Sequence, residues 1–403
     1  MPRAFLSRTV VLCAAIITTA GVSHAQAPQP APIKIDIAYI KVATEKALPL
    51  SRLDNPLPDD GFAGARLALN DNNTSGRFLK QEFVLTEVTV PVGGDAVAAA
   101  KAQAAEGRRF ILLDAPAETV LAVADALKGQ DALVFNIAAP DSDLRNEKCR
   151  VNVLHTAPSR DMLADGLAQY LIWKKWSRWF LVHGALPDDL LNAEAVRRAA
   201  KRFGAKIVAE KEYKEEGGAR RTDSGHEQVQ AQMPVFTQDA PEHDVLVVAD
   251  ENEVFGPYVP YRTWSARPVA GTSGLTPASW HPAHEQWGAT QFQNRFMKLA
   301  NRGVRAIDYH AWLAVRAIGE AAARVRSAEF KALNDYIKGP ELSLAAFKGQ
   351  KLTFRKWNGQ LRHAVVLGDR HLPVTWSPQP GFLHPVTPLD TLGVDEPESK
   401  CRF

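Results

Sequence analysis

The chain has 403 residues, of which 46% are hydrophobic and 23% charged, and its formal net charge is +3 at neutral pH. A chain of this size can bury large cores, and its length alone predicts two or three domains. The net charge is too small for the strongly basic surface that nucleic acids or anionic membranes attract, so neither is expected as a partner.

The first 25 residues have the features of a secretory signal peptide. Arg3 and Arg8 form a basic start, residues 9–20 are mostly apolar, and Ser23 and Ala25 are the small residues that precede a cleavage site. We expect cleavage after Ala25, a linker over residues 26–32 and a periplasmic location. The alternative, an uncleaved membrane anchor, needs about 18 or more apolar residues.

The rest of the chain alternates predicted strands and helices. The first group has strands at 33–40, 81–90, 109–113 and 133–138, separated by helices at 61–79, 95–106 and 117–128. The second group has strands at 151–154, 179–182, 206–209 and 245–249. Its helices begin at Ser159, a candidate N-cap, and at Pro187, and the second of them ends before Gly204. This repetition predicts an α/β fold with two parallel sheets, each covered by helices.

The remaining segments are less regular. Residues 214–240 are polar and contain glycine, which predicts a long surface excursion. Beyond Glu285, apolar residues at helical spacing predict two helices, and a third covers 330–337. Residues 352–367 are predicted to form a hairpin with Asn358 and Gly359 at its turn.

Motifs for catalysis and cofactor binding are absent from the sequence. It has no phosphate loop, no nucleophile elbow, no dinucleotide-binding glycine motif and no CxxC pair, so we predict no enzyme activity, no catalytic residue and no cofactor. His281 and His284 beside Glu285 are a weak metal candidate because no third imidazole is nearby, and no metal site is predicted.

An acidic segment, Asp250-Glu251-Asn252-Glu253, is a stronger candidate for function. It follows an apolar strand directly, and open α/β sheets bind ligands at the carboxyl ends of their strands. The alternative is the solvated first turn of a helix, where acidic residues are favoured.

Two of the three cysteines, Cys149 and Cys401, lie beyond the predicted signal peptide. In an oxidising compartment such a pair is expected to form a disulfide, and two free thiols are the alternative. Closing so long a loop would stabilise the protein by about 4–5 kcal/mol in the chain-entropy model.

Several segments resemble type I periplasmic binding proteins of the branched-chain amino acid class, which supply ABC transporters. The opening strand, GFAGARLALNDNN, GATQFQNRFMKLANR and LTFRKWNGQLRHAVVL have that family's order and character. A narrower resemblance rests on CRVNVLHTAPSRDMLADGLAQYL, VLVVADENEVFGPYVPYRTW and the proline-rich tail. These segments are similar to substrate-binding proteins associated with pyrroloquinoline quinone-dependent alcohol dehydrogenase systems, some of which are linked to lanthanide uptake.

The resemblance implies a two-lobed fold with a hinge between the lobes. Lobe one would take residues 33–140 and 285–340, and lobe two residues 141–284 and 341–385. The tail, 386–403, would be tied back at the crossover near Cys149 and would limit lobe motion. Ligand contacts are expected in the loops after the strands, at Tyr39, Asp114, Ala138, Asp141, Ser142, His183, Asp250, Glu251, Tyr258 and Thr272.

One departure from the resemblance bears on the ligand. Amino-acid binders of this class carry hydroxyl residues after the third and fourth strands, whereas here Asp114 follows the third and only Ser142 is hydroxylic after the fourth. We therefore expect a cationic, amine or polar neutral ligand, held by a monomer that delivers it to an inner-membrane permease. The alternative is a periplasmic accessory or sensory protein of the alcohol dehydrogenase system that does not transport.

Overall fold

A computed structural model describes residues 32–45, 57–214 and 228–403. The predicted signal peptide, its cleavage site after Ala25 and all of the linker except Pro32 lie outside the described residues. Within the described part, no helix is both long and apolar enough to cross a membrane.

The first sheet has five parallel strands in the order β2-β1-β3-β4-β5. Parallel neighbours need crossover connections, which three helices supply for most of the sheet. The strands are β1 Ile33–Val42, β2 Gln81–Val90, β3 Phe110–Asp114, β4 Leu133–Asn136 and β5 Val153–His155. The helices between the first four of these strands are α1 Phe62–Leu79, α2 Ala96–Ala105 and α3 Ala117–Ala126.

Both faces of this sheet are buried, as in parallel sheets generally. Successive side chains of a strand point to opposite faces, so Ile37 and Tyr39 pack in one core while Ala38 and Ile40 pack in the other. Burial of both faces explains why residues 37–40 are all apolar, whereas Asp36, before them, is only partly buried.

The second sheet has four parallel strands in the order β7-β6-β8-β9. Its strands are β6 Arg178–His183, β7 Lys206–Glu212, β8 Val245–Ala249 and β9 Val269–Gly271. Its helices are α4 Arg160–Trp173, α5 Pro187–Phe203, α6 Val229–Thr237 and α7 Val259–Arg262. Again the faces alternate, with Trp179 and Leu181 in one core and Phe180 and Val182 in the other.

The predicted helix ends in this region are confirmed. The hydroxyl of Ser159 accepts a hydrogen bond from the Met162 N–H at 3.2 Å, which caps α4. Helix α5 has Pro187 at its first position, and Gly204 ends it in the left-handed conformation at φ 78°.

The carboxyl-terminal third adds helices and a small antiparallel sheet. The helices are α8 Ala289–Ala300, α9 Ala306–Val325 and α10 Phe330–Lys338. Strands β11 Leu344–Ala345 and β12 Lys351–Leu352 pair with each other, and β10 Thr276–Ala278, β13 Val365–Gly368 and β14 Pro373–Ser377 form a three-stranded sheet.

Three predicted segments differ from the structure. The strand predicted at 151–154 as part of the second group forms β5 of the first sheet instead. The predicted hairpin is reduced to its turn, where Phe354 pairs with Leu361 and the Gln360 carbonyl accepts from the Arg355 N–H at 2.8 Å. Beyond the turn, β13 pairs with β10 and β14. The predicted surface excursion contains α6, whose Met233 is fully buried, while residues 215–227 lie outside the described part.

Up to β13, the chain passes between the two helix-covered sheets three times. Leu154 belongs to a core of the first sheet and Met162 to a core of the second, so the first crossing lies between them. The second crossing precedes Trp280, and the third lies between Ala364 and Val365. The assignment of residues to lobes stays a prediction, although residues 342–364 pack with the first core.

Buried hydrogen bonds connect these crossings into what we call the crossing cluster: Thr156, Ser279, His310, Lys348 and His363. The hydroxyl of Thr156 donates to the His310 carbonyl at 3.0 Å, and the Nε2 of His363 donates to the Thr156 carbonyl at 2.7 Å. His310 Nδ1 donates to a carbonyl after β4 at 2.9 Å, so its neutral ring accepts at Nε2 from the Ser279 hydroxyl at 2.7 Å. Segments from all three crossings are therefore joined.

Lys348 completes this cluster without an acidic partner among the described residues. Its ammonium nitrogen donates to the carbonyls of Ser279 and, at 3.3 Å, Ala364, and it lies 4.3 Å from the ring centre of Trp376. Burial holds the pKa of Lys348 well below its usual value.

The predicted disulfide between Cys149 and Cys401 is confirmed, with their Cα atoms 5.6 Å apart. Before Cys401 in the tail, the Gly393 N–H donates to Asp165 of α4 at 2.8 Å. The tail therefore runs from the helices of the second sheet to a loop beyond β4 of the first.

Candidate functional site

Arg160 stands at the point where loops from both sheets meet. It is the first residue of α4, and its backbone N–H donates to the Pro140 carbonyl, after β4, at 2.8 Å. A cation in the first turn of a helix opposes the helix dipole. The position of Arg160 therefore depends on contacts outside its own helix.

Three carboxylates surround the guanidinium of Arg160. Glu251, after β8, accepts from its Nε and Nη2 at 2.9 and 2.7 Å, and Asp188, after β6, accepts from Nη2 at 2.8 Å. Asp141, after β4, has an oxygen 3.3 Å from Nη1. The Arg160 side chain is only 5% exposed, so one buried cation connects loops at the carboxyl ends of both sheets.

A second layer of contacts holds two of these loops in place. Asn192 of α5 donates to Glu251 at 2.7 Å, and the backbone and side chain of Asn252 both donate to the Oδ1 of Asp189. A side chain at Gly184 would lie 2.1 Å from the Asp189 carboxylate, so the loop after β6 requires glycine there. The loops after β6 and β8 are thereby fixed to each other.

The electrostatics of this cluster favour charged groups. Burial alone would lower the pKa of Arg160, but the hydrogen bond to Glu251 and the charges of Glu251, Asp141 and Asp188 outweigh it and raise the pKa. Burial also raises the pKa of Asp189, against the hydrogen bond from Asn252. With three carboxylates around one cation, the cluster has a net negative charge.

Of the ten predicted ligand contacts, the structure brings Asp141 and Glu251 together at Arg160. Ser142 is adjacent, and its hydroxyl accepts from the Asp161 N–H at 3.3 Å, next to Arg160 in α4. These three positions form the part of the prediction that converges in space.

The predicted contacts on the first sheet form hydrogen bonds within that sheet and its loops. Tyr39 is completely buried, and its hydroxyl donates to Asp114 at 3.4 Å. Burial, followed by the charge of Asp114, raises the pKa of Tyr39 well above its usual value. The Ala138 N–H donates to the side chain of Asn136 at 3.2 Å. A ligand role for these residues stays a prediction.

The remaining predicted contacts shape the loops of the second sheet. The Asp250 carboxylate accepts from the N–H groups of residues 254–256, and the hydroxyl of Thr272 accepts from the Asp250 N–H at 3.0 Å. His183 lies 3.2 Å from Glu210, and Tyr258 packs against the core. Their ligand roles also stay predictions.

Sequence reasoning missed Arg160, Asp188 and Asn192. A signal was present for Arg160, because a cation directly after a helix N-cap is disfavoured unless something else holds it. Asp188 has the sequence features of an ordinary first-turn acid, and only the packing of α5 beside the start of α4 gives it Arg160 as a partner.

Metal ligation has no support among the described residues. No group of three or more His, Cys, Asp or Glu side chains there could hold a metal ion. His281 bonds to the Asp369 carbonyl at 2.8 Å and His284 to the Phe347 carbonyl at 2.9 Å. Around Arg160, the guanidinium itself takes the central position among the carboxylates.

Comparison with known proteins agrees with this architecture. Residues 59–232 match the model of a periplasmic binding protein family. No curated protein sequence matches the chain.

Solved structures resemble it over most of its length. A branched-chain amino acid ABC transporter periplasmic ligand-binding protein from Burkholderia xenovorans LB400 has a TM-score of 0.66 at 15% identity, covering 85% of this chain and 95% of that one. A leucine-, isoleucine-, valine-, threonine- and alanine-binding protein from Brucella ovis, in a closed conformation, gives 0.65 at 16% identity with the same coverage. A solute-binding protein from Rhodopseudomonas palustris BisB5, in complex with 3,4-dihydroxy benzoic acid, gives 0.60 at 10%, covering 83% of this chain and 93% of that one. The predicted two-sheet α/β fold of type I periplasmic binding proteins is confirmed.

Proposed function

We propose that this protein, which has the fold of type I periplasmic binding proteins, is the substrate-binding component of an ABC transporter and works in the periplasm. The observation that carries the proposal is the Arg160 cluster. Its carboxylates come from loops after β4, β6 and β8, which is where open α/β sheets bind ligands.

The cluster suits a protein that closes around its ligand. A ligand that contacts loops of both sheets has more contacts when they approach each other, so its binding favours the closed state. Arg160 already joins one loop of the first sheet to two loops of the second, and a ligand beside it would touch both.

The chemistry of these loops limits the ligand. Asp114 at the end of β3 and the surplus of carboxylates around Arg160 disfavour a free carboxylate group. We propose a small ligand that is cationic, an amine or polar and neutral, which a permease of the inner membrane then receives.

The association with pyrroloquinoline quinone-dependent alcohol oxidation is a further part of this proposal. It rests on the sequence resemblance of residues 149–171, 245–264 and the tail. A lanthanide ligand would need several free carboxylates, whereas those around Arg160 bind the guanidinium.

A ligand panel tests the proposal. Mature protein would be titrated calorimetrically with leucine, ethanolamine, mannitol, pyrroloquinoline quinone, calcium and lanthanum. We expect binding of at least one organic ligand, weakened at least tenfold by Glu251→Gln, because this change removes a charge that orients Arg160.

Glu242→Gln is the matched control, since Glu242 forms an exposed ion pair with Arg178 at the opposite end of β6. Binding that Glu251→Gln leaves unchanged would contradict this placement of the site. Absence of any binding would contradict the transport proposal and support the accessory or sensory alternative.

A further inference from the structure

A pocket of about 810 Å³ opens beside the Arg160 cluster. Four segments of the chain line it: the turn Ser142–Arg145 after β4, the first turn of α4, helix α5 and tail residues 394–400. The tail wall is held by the disulfide of Cys401 and by the Gly393 hydrogen bond to Asp165. The pocket is therefore formed by a loop of the first sheet, two helices of the second sheet and the tail.

One donor in the pocket wall has no hydrogen-bond partner. Arg160 lines the pocket, and its Nη1 makes no hydrogen bond with any described residue, although the atom itself is buried. The nearest carboxylate oxygen, of Asp141, lies 3.3 Å away but outside hydrogen-bonding geometry. Buried donors of charged groups are costly to leave unpaired, so this atom calls for an acceptor oxygen.

The charges around Nη1 of Arg160 determine which kind of ligand oxygen can accept a hydrogen bond from it. Three carboxylates surround Arg160, and one of them, Asp141, lines the pocket together with Asp161 and Glu194. A carboxylate ligand would meet this surplus of negative charge at short range. A hydroxyl accepts from Nη1 and donates to a carboxylate at the same time, so it satisfies both kinds of neighbour.

The opposite wall carries charges of both signs. Arg198 and Arg202 of α5 bind the buried Asp165 and lie 3.4 Å from Glu398 of the tail. These two charges are therefore largely neutralised, whereas Lys201 of α5, which also lines the pocket, is exposed and forms no ion pair with a described residue.

We propose that this pocket binds a small uncharged polyol, with one hydroxyl oxygen accepting from Nη1 of Arg160. The proposal rests on the function proposed above and names the ligand class for that site. The tail contributes a wall that the disulfide keeps in position.

Three open-chain six-carbon probes, which carry a hydroxyl, a carboxylate or an amine at one end, test the ligand class: mannitol, gluconate and 1-amino-1-deoxysorbitol. Each would be titrated calorimetrically at concentrations up to about 1 mM, because polyols at high concentration stabilise proteins without binding. We expect mannitol to bind, and gluconate to bind at least tenfold more weakly.

Three variants place the site. Arg160→Lys keeps the cation but loses the planar fork of donors, and it should weaken mannitol binding at least tenfold. Glu194→Gln, at an exposed pocket position, should weaken it about threefold, the range of a modest lost contact. Glu242→Gln should leave it unchanged.

The outcomes separate this proposal from the one above. If leucine or ethanolamine binds and mannitol does not, the polyol proposal is wrong and the transport proposal stands. Equal or tighter binding of gluconate, tighter binding of the amine, or mannitol binding that survives Arg160→Lys would each overturn it. If no compound of either panel binds, both proposals fail.

Discussion

Two polar regions of this protein differ in charge and in their access to water. The crossing cluster is buried and has no carboxylate among its five members, and burial lowers the pKa values of its Lys348 and His363. The Arg160 cluster borders an open pocket, and its groups are charged and paired across short distances. In both, side chains hold separate segments of chain together.

The difference follows from access to water. A buried group without a counter-charge lowers its free energy by becoming neutral, and its hydrogen bonds then go to backbone carbonyls. At the pocket, water and neighbouring charges allow ionised groups to persist, so donors and acceptors remain for a ligand. The crossing cluster is suited to holding the connections between sheets, and the Arg160 cluster to binding.

The largest effect should come from breaking the crossing cluster. Changing His310→Phe leaves the Ser279 hydroxyl and the Ile137 carbonyl without partners in a buried site. At about 1–3 kcal/mol for each unpaired group, the free energy of unfolding should fall by about 3–4 kcal/mol. Urea denaturation followed by circular dichroism measures this.

His371→Phe is the control, because His371 is exposed and its ring makes no hydrogen bond with another described residue. Its effect should stay within about 0.5 kcal/mol. A similar loss in both variants would mean that the crossing cluster contributes no special stability.

A smaller effect should appear on acidification. Burial, together with Lys348 and Arg145 and against the hydrogen bond to Ile137, lowers the pKa of His310 to about 4. Below the usual imidazole pKa of about 6.5, His310 binds a proton in the unfolded chain but not in the folded protein. The stability from His310 is thus complete above pH 6.5 and is lost as the pH falls towards 4.

Between pH 7.5 and pH 5, this group should cost about 2 kcal/mol of stability, at 1.4 kcal/mol per pH unit. Denaturation of the wild type and of His310→Phe at both pH values isolates it, because Asp165, whose pKa burial raises to about 6, changes in the opposite sense in both proteins. Equal pH dependence in the two proteins would exclude His310 as the source.

The smallest change in stability should come from the other cluster. Glu251 is 25% exposed, and partly solvated ion pairs contribute about 1 kcal/mol or less. Glu251→Gln should therefore lower the free energy of unfolding by less than about 1 kcal/mol while weakening ligand binding strongly. A loss as large as that of His310→Phe would remove the distinction between the two clusters.

The sequence predicts the architecture well where local signals and tertiary packing agree. The bounds of β2 and β8 match the predicted ones because both strands are bounded by turns and carry the residues that strands favour. Helix α5 is equally clear, since Pro187 and Gly204 mark its ends.

Prediction from sequence fails where contacts with residues far along the chain determine the local structure. Pro234 inside α6 disguises a helix that packs through Met233. Gln360 is polar at a predicted hairpin but is buried, with its amide bonded to the carbonyls of His155 and Ala157. At the site, Asp141 and Glu251 were predicted from strand ends, whereas Arg160 required knowing that two sheets meet there.

The bond between Cys149 and Cys401 imposes an order on the assembly of the protein. The two cysteines are 252 residues apart, so the first stays unpaired until the long segment between them has been made. All four strands of the second sheet lie inside the covalent ring that the bond closes. The disulfide therefore forms late, after all the strands of the second sheet are present.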